Sequence, residues 1–156
     1  MFTATGIYQQ TWTDKAKQNL VHQVPHIAQS FPTIGDYYPA TVNVRFGPML
    51  IVAGSDCRTP PLRWKPAGED GESGEVFDLV RCRIAIGPNQ PLNALMYVGH
   101  WSWHRLDPHK QEFLVERHIA GLEDGMPVTL TCDRPAIDLP YSKQRDGDSA
   151  RTIVIL

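Results

Sequence analysis

Thr41 and Asn43 are the two residues whose types and spacing point most clearly to chemistry. They lie two positions apart in the segment TVNVRF, so on a β-strand both side chains would point to the same face. A hydroxyl and an amide present neutral oxygens, which suit Mg²⁺ when a substrate phosphate supplies the negative charge. Taken alone, such a Thr and Asn are more often ordinary hydrogen-bonding residues beside turns, and both interpretations stay open.

A second group of chemically capable residues lies in the run HWSWHRLDPH, which begins at His100. On a helix His100 and His104 would share a face, and Asp107 or His109 could complete a metal site of nitrogen and oxygen ligands. The alternatives are hydrogen-bonding surface histidines and a general acid or base. If the run is extended, Trp101 and Trp103 share a face, either as a stacking platform for a nucleobase or flavin or as core residues.

Arg81 and Arg83 form the third group, because they alternate with apolar residues in the run LVRCRIAI. A strand there would project both guanidinium groups from one face. Such a pair can bind the phosphate or carboxylate of a ligand. A solvated or salt-bridged face is the competing interpretation.

One helix is expected to position these groups, starting at Asp14 or one residue earlier, where either side chain can cap it. Pro25 should kink this helix or end it near Val24. Its apolar stripe has members three or four positions apart, which are Ala16, Leu20, Val24 and Ile27.

The remaining regular segments read as short strands, and together they predict a mainly β protein of one domain, residues 1–156. Six to eight strands with one early helix are most economically arranged as a small closed six-stranded barrel. We expect an irregular loop insertion at 54–75, whose second half is acidic, Gly-rich and mobile. We also expect a turn or short helix at 119–125, and a polar loop at 133–150 before a C-terminal strand that completes the sheet. The predicted strands are Phe2–Tyr8, 40–46, 49–53, 76–86, Leu92–Gly99, 111–118, 127–132 and 152–156.

Composition excludes several classes of protein. The 156 residues include 15 Lys+Arg and 17 Asp+Glu, so the formal net charge of −2 argues against a general nucleic-acid binder. Two of the three cysteines, Cys82 and Cys132, lie in apolar runs and are expected to be small buried hydrophobes. No signal peptide is visible and no apolar run approaches the ~20 residues of a membrane span. We therefore expect a soluble cytoplasmic protein with a small-molecule ligand and no membrane partner.

Two motifs carry a resemblance to a known family. The segment YPATVNVRF follows the first helix, and the segment GLEDGMPVTLTC leads into a late strand. In this order the chain, over residues 2 to 132, resembles the archaeal CTP-dependent riboflavin kinases. The resemblance implies a small closed β-barrel of the cradle-loop (RIFT) kind, with Thr41 and Asn43 on the family's magnesium-binding Thr and Asn. Where that family has a Gly-rich nucleotide loop after the first strand, this sequence has YQQTWT.

The resemblance also implies a ligand and a reaction. Glu112 corresponds to a flavin-contacting Glu of the family and would serve as the base of a phosphoryl transfer. Mg²⁺ would be the cofactor, with a flavin or nucleotide as substrate. Two other hypotheses remain open: a non-catalytic module of the same fold that binds a small molecule or a protein, and a metal-dependent enzyme that uses His100, His104 and His109.

Overall fold

A computed structural model describes most of the chain, namely residues 1–10, 14–47, 49–52, 54–64, 73–99, 110–134, 136–139 and 153–155. In addition to a 3₁₀ turn at Pro32–Asp36, it contains one helix, α1 (Asp14–Ala28), and short strands on either side of it. In chain order the strands are β1 (Phe2–Tyr8), β2 (Thr41–Phe46), β3 (Met49–Val52), β4 (Cys57–Arg58), β5 (Leu62–Trp64), β6 (Ser73–Glu75), β7 (Phe77–Ile86), β8 (Leu92–Gly99), β9 (Lys110–Val115), β10 (Pro127–Cys132), β11 (Ala136–Leu139) and β12 (Ile153–Ile155).

Six of these strands form a closed antiparallel barrel in the order β10-β1-β2-β9-β8-β7, and β7 pairs again with β10. Strands β7, β8 and β9 are consecutive neighbours, and β10 returns beside β7, which is the arrangement of a Greek key. Strand β4 adds to β7 outside the ring. The prediction of a mainly β protein with a closed six-stranded barrel is confirmed.

Strand alternation separates the barrel into an apolar interior and a partly covered outer face. On β2, Val42, Val44 and Phe46 belong to the interior core, so Thr41 and Asn43 lie on the outer face, as their spacing predicted. A second core forms outside the barrel, where α1 and the 3₁₀ turn cover β7, β8 and β9. Its buried members are Leu20, Ile27, Phe31, Ile34, Leu62, Phe77, Leu79, Leu95, Tyr97 and Leu114.

Helix α1 continues past Pro25 to Ala28, which differs from the predicted end near Val24. Proline has no N–H to donate to the carbonyl four residues earlier, which belongs to Val21. Both Val21 and Pro25 are exposed, so water can satisfy that carbonyl. The buried side of the helix, with Leu20 and Ile27, remains intact.

Three expectations about the loops were wrong. The described part of 54–75 contains β4 and a β5–β6 hairpin. Residues 65–72, which include most of the acidic part, lie outside the described residues. The region 133–150 begins with strand β11. Strand β12 pairs in parallel with β3 in a separate sheet, β11-β3-β12, and does not join the barrel.

Smaller expectations have mixed outcomes. Strand β9 ends at Val115, three residues earlier than predicted, and 119–125 forms turns and no helix.

Cys82 and Cys132 are buried in the barrel interior, as predicted, and burial raises the pKa of both thiols. The described part of the chain contains no helix with the length and apolarity that a membrane crossing requires.

Candidate functional site

Four polar residues lie side by side across the outer face of the barrel, and we call them the polar row. Asn43 on β2 is opposite Glu112 on β9, and the backbone N–H of Gln9 donates to the carbonyl of Asn43 at 3.0 Å. The pairing of β8 with β9, continued by one residue, brings Tyr97 beside Glu112. Strand register therefore joins Gln9, Asn43, Glu112 and Tyr97 into one line.

Thr41 lies beside the polar row on the same face of β2, and its hydroxyl contacts Glu112. Its Oγ1 donates to Oε1 of Glu112 at 3.4 Å, and both side chains are half-buried. Thr41, Asn43 and Glu112 are three of the residues that the sequence singled out, and the structure brings them together. A hydroxyl, an amide and a carboxylate offer the hard oxygen atoms that Mg²⁺ and Ca²⁺ prefer.

Two amide oxygens in the polar row are buried without a donor. Asn43 is only 5% exposed, and neither its Oδ1 nor the Oε1 of Gln9 has a hydrogen-bond partner among the described residues. Leaving a buried carbonyl oxygen unsatisfied costs about 1–3 kcal/mol. A cation or a hydrogen-bond donor of a ligand would satisfy such an oxygen.

Helix α1 closes one side of the polar row. Gln23 of the helix is buried, and its Oε1 accepts a hydrogen bond from the Tyr97 hydroxyl. Burial, followed by the charges of Glu112 and Glu75, raises the pKa of Tyr97 well above its ordinary value, so the hydroxyl stays protonated. The sequence analysis missed Gln9, Gln23 and Tyr97. The only available signal was Gln23 within the apolar stripe of α1.

The turn before β10 closes the other side. The Tyr8 N–H donates to the Met126 carbonyl at 2.8 Å, and the Gly125 N–H donates to the Tyr8 carbonyl at 2.9 Å. The Asp124 carboxylate accepts from the N–H of Gln10. Gly125 has a φ of +86°, a left-handed conformation that suits glycine. Hydrogen bonds thus join residues 8–10 to both segments that resemble the riboflavin kinases, at Asn43 and at residues 124–126.

The structure does not bring Arg81 and Arg83 to the polar row. Arg81 and Thr41 belong to the same line of register partners, which is next to the polar row. Leu114 and Leu95 lie between them in that line. Its guanidinium is 3.7 Å from the Asp56 carboxylate and lies over the ring of Phe31 at 4.8 Å. Arg83 is exposed and lies one row further away. Ligand binding by this pair stays a prediction, and it would concern a different place on the barrel.

The histidines and tryptophans of the second group, His100, Trp101, Trp103, His104 and His109, lie outside the described residues. The segment that contains them joins β8 to β9, the two strands that carry Tyr97 and Glu112. Within the described ranges, no three His, Cys, Asp or Glu side chains are arranged to hold a metal ion. The metal-site and stacking hypotheses for this segment stay predictions.

No family model matches the chain, and no curated protein has a sequence significantly similar to it. The resemblance to riboflavin kinases therefore remains a prediction from two motifs.

Proposed function

We propose that the polar row binds Mg²⁺ together with a phosphorylated, flavin-like or nucleotide-like small molecule. The unpartnered Oδ1 of Asn43 carries this proposal, because a native protein seldom leaves a buried carbonyl oxygen without a donor. Asn43 lies between Gln9 and Glu112 in the strand register, so its neighbours on both sides also carry side-chain oxygen atoms.

The composition of this set favours a cation that arrives with an anionic ligand. Gln9, Thr41 and Asn43 provide neutral oxygens, and Glu112 is the carboxylate within the row. Mg²⁺ is commonly held by one or two carboxylates, several waters and the phosphates of a substrate. Bound there, Mg²⁺ would neutralise phosphate charge, and the chain would hold the ligand against the barrel face.

With this ligand class the activity we propose is phosphoryl transfer to a flavin hydroxyl from a nucleoside triphosphate, CTP in the family that the sequence resembles. The hydroxyl oxygen forms the new O–P bond, and the bond from that phosphorus to the β-phosphate oxygen breaks. The hydroxyl proton passes to Glu112, and CDP leaves. Such chemistry requires positioning and charge neutralisation more than a nucleophilic side chain.

The cation site is tested by titrating the purified protein with Mn²⁺ as a paramagnetic substitute for Mg²⁺ and measuring free Mn²⁺ by electron paramagnetic resonance. We expect saturable binding of one ion and displacement by Mg²⁺. Asn43→Ala should weaken binding at least about tenfold, the scale that loss of a metal-site partner usually costs. The matched control is Asn93→Ala, because Asn93 is exposed and its amide already donates to Glu116 at 2.9 Å. Equal affinities in both variants would contradict the proposal.

The ligand class is tested separately, with riboflavin alone and with CTP plus Mg²⁺, by following flavin and tryptophan fluorescence. Product analysis by chromatography then distinguishes turnover from binding. Saturable binding with conversion of riboflavin to its phosphate supports phosphoryl transfer. Binding without conversion supports the non-catalytic module. No response to either compound at millimolar concentration would rule out a flavin or CTP as the ligand.

A further inference from the structure

Two cationic side chains stand directly opposite each other beside the polar row. Arg45 on β2 is the register partner of Lys110 on β9, one step along each strand face from Asn43 and Glu112. Residues two positions apart on a strand are about 7 Å apart, so this pair is adjacent to the proposed cation site. Like charges directly opposite on neighbouring strands are destabilising. We call Arg45 and Lys110 the basic pair.

A surface groove begins at the same place. It has a volume of about 410 Å³ and runs along the outer side of β1 and β2, where Thr5, Ile7, Arg45 and Gly47 line it. Gly6 lets the strands approach closely there, since a Cβ would be 2.6 Å from the carbonyl oxygen of Arg45. Ile7 is 45% exposed, so the groove combines an apolar wall with a guanidinium.

We propose that the basic pair binds the phosphate groups of the ligand and makes the site selective for a diphosphate or longer phosphate chain. This inference rests on the proposed function, and it extends the site from the polar row to the groove. An anion between Arg45 and Lys110 is attracted by both positive charges, and the cation site lies within reach of the same phosphate chain.

The basic pair can bind an anion even though both side chains already interact within the chain. A guanidinium has five N–H donors and an ammonium has three, so each can hold an internal partner and a phosphate oxygen together. Hydrogen bonds between such cations and phosphate are roughly twice as strong as neutral ones. The ligand class is therefore an organic pyrophosphate whose remaining part lies along the groove.

The test uses inorganic pyrophosphate as the probe and isothermal titration calorimetry as the measurement, once in EDTA and once with Mg²⁺. Arg45→Gln and Lys110→Gln should each weaken pyrophosphate binding about tenfold in both buffers, and the double variant more. Arg63→Gln is the control, because it removes an exposed arginine from β5, which belongs to a separate hairpin outside the barrel. Circular dichroism shows whether each variant is folded.

The two proposals fail in different ways in this experiment. Pyrophosphate binding in EDTA that depends on Arg45 and Lys110 supports the basic pair, whether or not Mn²⁺ binds to the polar row. Mn²⁺ binding that needs Asn43, without any binding of pyrophosphate, would overturn the basic pair alone. The basic pair is also overturned if the double variant and Arg63→Gln bind pyrophosphate equally well.

Discussion

Two buried polar centres of this protein differ in how completely their hydrogen bonds are satisfied. The Asp78 carboxylate, which is fully buried, accepts from Arg58 Nε at 2.9 Å, from Arg58 Nη2 at 2.8 Å and from the Ser55 hydroxyl at 2.8 Å. Asn43 is almost as deeply buried, yet its Oδ1 has no donor among the described residues. The Asp78 carboxylate has its partners within the chain, whereas the Asn43 oxygen has none among the described residues.

The positions of the two centres agree with this difference. Arg58 and Asp78 are register partners, so their ion pair fastens β4 to the side of β7. Asn43 lies on β2, between Glu112 of β9 and Gln9, which follows β1. Its side chain does not join an outer strand to the barrel, as the Arg58–Asp78 pair does. The satisfied charge of Asp78 joins two strands, and the unsatisfied amide of Asn43 is the group on which the proposed cation site depends.

The largest effect is expected from breaking the complete centre. Arg58→Ala should lower the free energy of unfolding by about 2–3 kcal/mol, because it leaves the Asp78 carboxylate buried without its guanidinium. The Arg58 side chain is 55% exposed, so water offsets part of the loss. Urea unfolding followed by circular dichroism measures the change. Arg63→Ala, at an exposed position of β5, should change stability by less than ~0.5 kcal/mol. Similar values for both variants would contradict a fastening role.

A smaller effect on stability, which depends on pH, is expected at Asp56. Burial would raise the pKa of this carboxyl, but hydrogen bonds from the Arg134 side chain and the Arg81 N–H outweigh it, so the pKa is lowered. The charged carboxylate therefore stabilises the fold above the ordinary Asp pKa of about 3.9, and this contribution is lost as pH falls through the lowered value.

Asp56→Asn is the corresponding variant. At pH 7 it should cost about 0.5–1 kcal/mol, the scale of a partly exposed ion pair. The difference in unfolding free energy between the protein and the variant should stay constant above about pH 5 and shrink below about pH 4. Urea unfolding at a series of pH values measures it. A difference that grows on acidification would show the opposite sign of the pKa shift.

Local patterns were enough to predict the barrel strands and the face on which Thr41 and Asn43 lie. Alternation of apolar and polar residues is a property of each strand alone, so β2 could be read without its neighbours. Of the two outcomes predicted for Pro25, a kink or an end near Val24, the end is wrong, because the cost of Pro25 depends on whether water reaches the Val21 carbonyl. That exposure is a tertiary property.

The composition of the polar row could not be predicted in the same way. Gln9, Glu112 and Tyr97 are neighbours of Asn43 only through strand register, which joins segments tens of residues apart. The partner of β12 was wrong for a similar reason. An apolar strand indicates that it will pair, but its own residues do not show which strand it will pair with.

The smallest change in stability is expected at the incomplete centre, although Asn43 is 5% exposed. Asn43→Ala removes packing, but it also removes a buried carbonyl oxygen that has no donor among the described residues, and the two effects oppose each other. In the absence of ligand and metal, we expect the free energy of unfolding to change by less than ~1 kcal/mol. Urea unfolding in EDTA measures this, and the same variant provides the Mn²⁺ affinity. A loss as large as that of Arg58→Ala would mean that Asn43 serves the fold, because a residue kept for a ligand contributes its binding energy only when the ligand is bound.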